Sequence, residues 1–327
     1  MIIRKILYIV TSLSIFFIYL NNNYKFDNLK SKEYLLRKDP LVFFAGDSRA
    51  YWQLIPEVAS KYLDIDNNKV VNIGRTGGHP LEVENLIRLN ADKFKESVVI
   101  ISVSAFLING SAKTPYHYSM DLIARKNLLD QIILFYPNNL LTLQRYYSHI
   151  VKELIYSSNA YDNISTNGYR PLTGTIDYTR MTYEKLSNDP WYNRFNSDLE
   201  KIHDIETSLI FISSACKKLI VLNGPFSEYY KAKFKGTDLY KTEIIFDSEM
   251  EKICNRNGIQ YISYAKNAVF KDEYFTDWAH LNEKGSELLT LKLLQDVNLK
   301  QFLHKKSDKQ IRKGVASSPY FRHLNKI

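Results

Sequence analysis

Cysteine is close to absent from this chain. Cys216 and Cys254 are the only two in 327 residues, too few for a disulfide framework, and both fall in segments with helical patterning, so buried free thiols are expected. Histidines and carboxylates do not recur at metal-ligand spacing, so no metal and no cofactor is assigned. A full dinucleotide fingerprint is missing as well: the glycine segment after the second apolar run is not Gly-x-Gly-x-x-Gly. No internal repeat and no long low-complexity tract divides the chain. What is present, 45% hydrophobic and 13% aromatic residues, buries a sizeable core and excludes disorder throughout; it fits one large α/β domain or two smaller ones.

The N-terminus places Arg4 and Lys5 before an apolar run from Ile6 to Leu20, the layout of a signal peptide or of a short membrane anchor. No small-x-small site follows the run and no cysteine stands near it for lipidation, which favours an uncleaved anchor with a cytoplasmic N-terminus. The expected location is the cytoplasmic membrane, single-pass, with the catalytic domain on the extracytoplasmic side. The formal charge of +9 is spread along the chain and is densest from Lys305 to Lys313. It suits an anionic membrane or a polyanionic wall polymer; the anchor argues against nucleic acid as partner. The expected division is an anchor over 1–22, a stalk over 23–39, a catalytic domain over 40–298 and a basic tail over 299–327.

Within the domain, apolar runs at Leu41–Ala45, Lys69–Ile73, Ser97–Val103, Leu219–Leu222 and Ile259–Ile262 read as strands. Helical spacing separates them over Ile55–Leu63, Pro80–Phe94, Asp198–Cys216 and Glu243–Asn257, and a last helix covers Asn282–Val297. Such alternation predicts an α/β fold, a three-layer α/β/α domain on a parallel sheet, with the ligand site beyond the C-terminal ends of the strands. Residues 105–195, rich in tyrosine, break the rhythm. They read as an insertion after the third strand, set over the active face as a wall, lid or docking surface, with Trp191 and Tyr192 among its aromatics.

Ser48 follows Gly46 and Asp47 at a strand-to-helix corner, where its hydroxyl can stand clear of the sheet as a nucleophile. Taken alone, Gly-Asp-Ser is equally a helix cap. Asp277 and His280, three residues apart before the last helix, shift the balance: the carboxylate can orient one imidazole nitrogen while the other faces a serine. In Val71-Asn-Ile-Gly-Arg-Thr-Gly-Gly-His79, Gly77 or Gly78 allows close backbone approach, and an amide there can meet an oxyanion beside that of Ser48. His79 is a candidate substrate contact. Arg49 and Arg75 either hold an anionic substrate or form ion pairs.

Taken together, these blocks resemble the SGNH/GDSL hydrolase superfamily, and within it the membrane-anchored branches similar to DltD and to polysaccharide O-acetyl transfer proteins. Gly46-Asp47-Ser48 matches the nucleophile block, Gly77 the oxyanion glycine, and Asp277-Trp-Ala-His280 the Asp-x-x-His block. The third block departs: Ser102-Val-Ser-Ala105 stands where the family generally carries Gly-x-Asn-Asp, with Ser104 at the Asn position as a single oxyanion donor. The resemblance spans about residues 40–104 and 197–298. It implies an acyl-serine formed on Ser48 and discharged to water or to an acceptor hydroxyl. With the anchor, it implies O-acyl, chiefly O-acetyl, transfer to an exported polysaccharide or cell-envelope polymer, with a multispanning membrane acyltransferase supplying acyl groups. The rivals are a carbohydrate or lipid esterase and a weakly catalytic scaffold subunit.

Overall fold

In the computed structural model the described residues are 35–36, 38–111, 165–178, 182–188 and 196–304. The chain enters β1 (Val42–Gly46), turns into α1 (Ser48–Gln53) and α2 (Pro56–Leu63), and returns as β2 (Val70–Asn72). Then come α3 (Pro80–Leu89), α4 (Ala91–Phe94) and β3 (Val98–Val103), followed by a 3-10 turn over Ala105–Ile108. After it lie α5 (Tyr183–Ser187), α6 (Leu199–Ala215), β4 (Lys218–Asn223), α7 (Glu228–Phe234), α8 (Asp238–Arg256), β5 (Gln260–Ser263), α9 (Glu283–Asp296) and α10 (Leu299–His304).

The strands form one parallel sheet in the order β2-β1-β3-β4-β5. Every residue of β1 and β3 is buried, as continuous apolar runs require when helices cover both faces. Their side chains alternate between two cores. Phe43, Ala45, Val99 and Ile101 join the core under α3, α6 and α8; Val42, Phe44, Val98 and Ile100 join the one under α1, α2, α7 and α9. In α6 the residues Ile202, Ile205, Leu209 and Ile212 supply the matching 3-4-3 stripe. Its N-cap Asp198 accepts from the amides of Glu200 and Lys201, a cap worth about 1 kcal/mol.

The boundaries differ from expectation where packing extends the elements. Leu35 and Leu36 lie in the first core, so the packed domain begins inside the segment read as stalk. At the other end Leu299 is fully buried in the second core and α10 continues to His304, so the domain runs past 298. The helix expected over 80–94 breaks at Asn90, whose φ of −140° is not helical. The helix expected from Glu243 begins at Asp238, capped by Thr237. Cys216 and Cys254 are both buried free thiols, and burial pushes the Cys254 thiol up to about 12.

Part of the insertion has a structural task. The carbonyl of Asn167 accepts from the Asn72 amide of β2 at 2.7 Å, the Asn167 side chain donates to Asn67 O at 2.8 Å, and the Arg170 amide donates to Tyr51 O at 3.3 Å. This stretch therefore covers the open edge of β2, which would otherwise present unpaired amides to other chains. Trp191 and Tyr192 lie outside the described residues, as does the apolar run 6–20. Among the described residues no helix is long and apolar enough to cross a membrane.

Candidate active site

Successive connections leave β1 in opposite directions, toward β2 and then back across to β3, and such a switch opens a crevice at the C-terminal ends of the strands. The corner after β1 is built there. Gly46 has φ +107°, and a Cβ on it would lie 2.1 Å from the Ser102 carbonyl oxygen of β3, so no other residue lets the two strands approach this closely. Across the corner, a Cβ on Gly78 would lie 2.1 Å from the Gly46 carbonyl oxygen. The Arg75 amide donates to that same oxygen at 3.1 Å. The glycine turn thus lies directly against the corner that carries Ser48.

Asp47 caps α1, its Oδ1 accepting from the Arg49 amide at 3.0 Å and from the Ser102 hydroxyl at 2.9 Å. The Ser104 hydroxyl donates to Oδ2. Burial pushes the Asp47 carboxyl upward, against the opposing pull of the Arg49 guanidinium and of the Ser102 and Arg49 hydrogen bonds. With the cap supplied by Asp47, the hydroxyl of Ser48, first residue of α1, turns outward to His280 Nε2 at 2.9 Å.

His280 comes from the loop before α9. Its Nδ1 lies 2.7 Å from Asp277 Oδ2, while Asp277 Oδ1 accepts from the amides of Ala279 and His280, both at 2.8 Å. Burial works to raise the Asp277 carboxyl, but its interaction with the His280 ring and these hydrogen bonds outweigh it and hold the group below its ordinary value. An ionised Asp277 only accepts, so Nδ1 carries the proton and the lone pair of Nε2 faces the Ser48 hydroxyl. Ser48 then donates to Nε2. The loop is pinned by Gln53 Nε2 donating to Ala279 O at 2.7 Å and by the Ser227 amide donating to Trp278 O at 3.1 Å.

The structure brings Ser48, Asp277 and His280 together and sets Gly77, with φ +68°, in the turn against the same corner. Among the described residues no hydrogen bond uses the amide of Ser48 or of Gly77. Ser104 is different: its hydroxyl, expected to donate into the oxyanion site, is committed to Asp47. The three candidate substrate contacts also have protein partners. Arg49 is 2% exposed, donates to Asn223 Oδ1 at 2.9 Å and lies over the Phe226 ring. Arg75 pairs with Glu82 at 3.1 Å, the ion-pair alternative. His79 caps α3, its Nδ1 accepting from the Leu81 amide at 3.1 Å.

Sequence reading missed Trp52, whose ring meets that of His280 at 4.8 Å between centroids, and Asn72, whose side chain donates to the carbonyls of Ala50 and Leu54 and accepts from the Gly74 amide. Helical spacing from Ser48 points to Trp52, but α1 has only six residues, too few for a periodicity to show.

No protein-family model matches the chain, and no curated protein sequence does. Among solved structures it is similar to a lipase/acylhydrolase from Enterococcus faecalis, at 13% identity and a TM-score of 0.40 over 81% of this chain and 97% of that one. It is also similar to an acetyl-xylooligosaccharide esterase from Geobacillus Stearmophilus, crystallised as a mutant, at 8% identity and a TM-score of 0.39 over 81% of this chain and 96% of that one. An α/β hydrolase enzyme from the metagenome of Lake Arreo, Spain, is similar at 8% identity and a TM-score of 0.38, over 81% and 96% respectively.

Proposed function

We propose that this chain is a serine-dependent acyl-transfer enzyme. The observation that carries this reading is the continuous line from Ser48 Oγ through His280 to Asp277, with distances of 2.9 and 2.7 Å, at the C-terminal edge of a parallel sheet. As Ser48 Oγ attacks the ester carbonyl carbon, its proton passes to Nε2 of His280 and Asp277 stabilises the imidazolium. The tetrahedral oxyanion takes the amides of Ser48 and Gly77. Collapse breaks the carbonyl carbon–oxygen bond to the leaving alcohol, which receives the proton from Nε2 and leaves an acyl-serine. An incoming hydroxyl reverses these steps: it gives its proton to Nε2, takes the acyl group and releases Ser48.

The finer reading is transfer of a small acyl group, chiefly acetyl, to an exported polysaccharide or cell-envelope polymer at the outer face of the cytoplasmic membrane. A multispanning acyltransferase would deliver the group. This rests on the resemblance of the sequence blocks and on the apolar run Ile6–Leu20. Water as acceptor would make the same site an esterase. The commitment of Ser104 to Asp47 favours a second reading, a weakly catalytic binding subunit, because it leaves the oxyanion two amides and no side-chain donor.

Intact-protein mass spectrometry after incubation with an activated acetyl ester tests the first reading. Ser48 should carry one acetyl adduct, discharged faster by an acceptor glycan than by water if the chain is a transferase and by water alone if it is an esterase. Ser48→Ala should fold normally, since the hydroxyl's one bond in the site is to His280, and should take no adduct. Equal labelling of wild type and Ser48→Ala would remove Ser48 as nucleophile.

A further inference from the structure

The nucleophile and its base come from segments 232 residues apart, so something must hold one against the other. Asp277 orients the imidazole, but Asp277 belongs to the same loop as His280. A carboxylate that moves with the ring cannot by itself fix the ring on Ser48.

Helix α1 supplies what the loop lacks. Ser48 and Trp52 are four residues apart and share one face of it. The Trp52 ring stands at 74° to the imidazole of His280, 4.8 Å between centroids, within the range of edge-to-face pairs. One residue on, Gln53 holds the Ala279 carbonyl. Trp52 is tied in turn to α9, its carbonyl accepting from the Ser286 hydroxyl at 3.2 Å. The helix that carries the nucleophile thus also grips the base, by its ring and by the peptide before it.

We propose that Trp52 is a positioning residue that confines the His280 imidazole so that Nε2 stays on the Ser48 hydroxyl. It acts through His280 and takes no part in the proton transfer. This rests on the proposed reading of Ser48 and His280 as nucleophile and base. A flat ring of sufficient width is what the role demands, so Phe should substitute and an aliphatic residue of lower breadth should not.

The test uses the full chain in three forms: wild type, Trp52→Phe and Trp52→Leu. The rate constant of Ser48 acetylation is followed against activated acetyl ester concentration, together with the low-field proton resonance of His280 Nδ1 in its bond to Asp277. Trp52→Leu should lower the maximal acetylation rate by roughly tenfold to a hundredfold, the cost of a misplaced reacting group. Its half-saturating ester concentration should stay near that of wild type, and the Nδ1 resonance should broaden or shift. Trp52→Phe should restore both readouts. A wild-type rate and an unchanged resonance in Trp52→Leu would overturn the proposal, as would a change confined to half-saturation, which would make Trp52 a substrate contact. Failure of Trp52→Phe to restore a folded protein's rate would also overturn it. If wild type takes no acetyl group, the proposed function fails, and the Nδ1 resonance of the same three proteins still decides whether Trp52 confines His280.

Discussion

Two carboxylates lie out of water at the C-terminal end of the sheet, one in the corner after β1 and one on the inner face of α8, and the two regions treat them in opposite ways. Asp47 has a partner on every side: the Arg49 amide, the Ser102 hydroxyl and the Ser104 hydroxyl. Glu243 is 3% exposed, and among the described residues neither of its oxygens accepts a hydrogen bond. Burial pushes its carboxyl up to about 7, with the Arg49 charge opposing and Asp247 and Asp47 adding to the rise. The corner ties its carboxyl into three hydrogen bonds; the helix face leaves its carboxyl without one, at a cost. Hydrogen bonding is concentrated at the corner that carries Ser48.

Replacing Asp47 with Ala should have the larger effect. It removes the cap of α1 and leaves the two serine hydroxyls and the Arg49 amide without their acceptor, so a loss of about 3–5 kcal/mol is expected in urea unfolding. If stability changes by only a few tenths, the contrast between the two carboxylates has no energetic content. Glu243→Gln should act in the other direction and with a pH dependence. A carboxyl whose folded pKa lies near 7, above its unfolded value, binds more protons in the folded state. Wild-type stability is then full below the unfolded pKa and is lost as pH rises through the folded one. The neutral amide lacks that loss, so Glu243→Gln should gain roughly 3 kcal/mol over wild type at about pH 8 and little at about pH 4. Parallel stability–pH curves for the two proteins would show that Glu243 does not titrate in this window.

The strands and the large helices were legible because burial on both faces writes itself as apolar runs, and α6 writes its stripe over seventeen residues. The three side chains that meet at the candidate site were legible as well, since Asp277 and His280 are close in sequence and Ser48 sits in a glycine corner. What lay hidden is short or nonlocal. Helices α1, α7 and α10 have six or seven residues, below the length at which a period can be counted. The partner of Arg49, Asn223, is 174 residues away, and nothing in the local pattern separates an arginine awaiting substrate from one buried against its own sheet. The bond of Ser104 to Asp47 was hidden for a related reason: the two residues are 57 apart in sequence.

That last position gives the smallest and sharpest test of the comparison. Ser104→Ala removes one of three donors from Asp47 and leaves the Arg49 amide and the Ser102 hydroxyl in place. Loss of a single buried hydrogen bond, leaving one carboxyl oxygen of Asp47 short of a donor, should cost about 1–3 kcal/mol, less than Asp47→Ala because no further donor is orphaned. Since the hydroxyl faces Asp47 and not the space beside Ser48, acetylation of Ser48 should slow only to the extent that the corner loosens. An oxyanion donor behaves otherwise, its removal costing roughly a hundredfold to a thousandfold in rate with stability nearly unchanged. Measuring urea stability and the Ser48 acetylation rate on the same Ser104→Ala protein separates the two roles. A stability loss with a modest rate change places Ser104 in the corner; a large rate loss at wild-type stability places it in the oxyanion site and would require the hydroxyl to leave Asp47 when substrate binds.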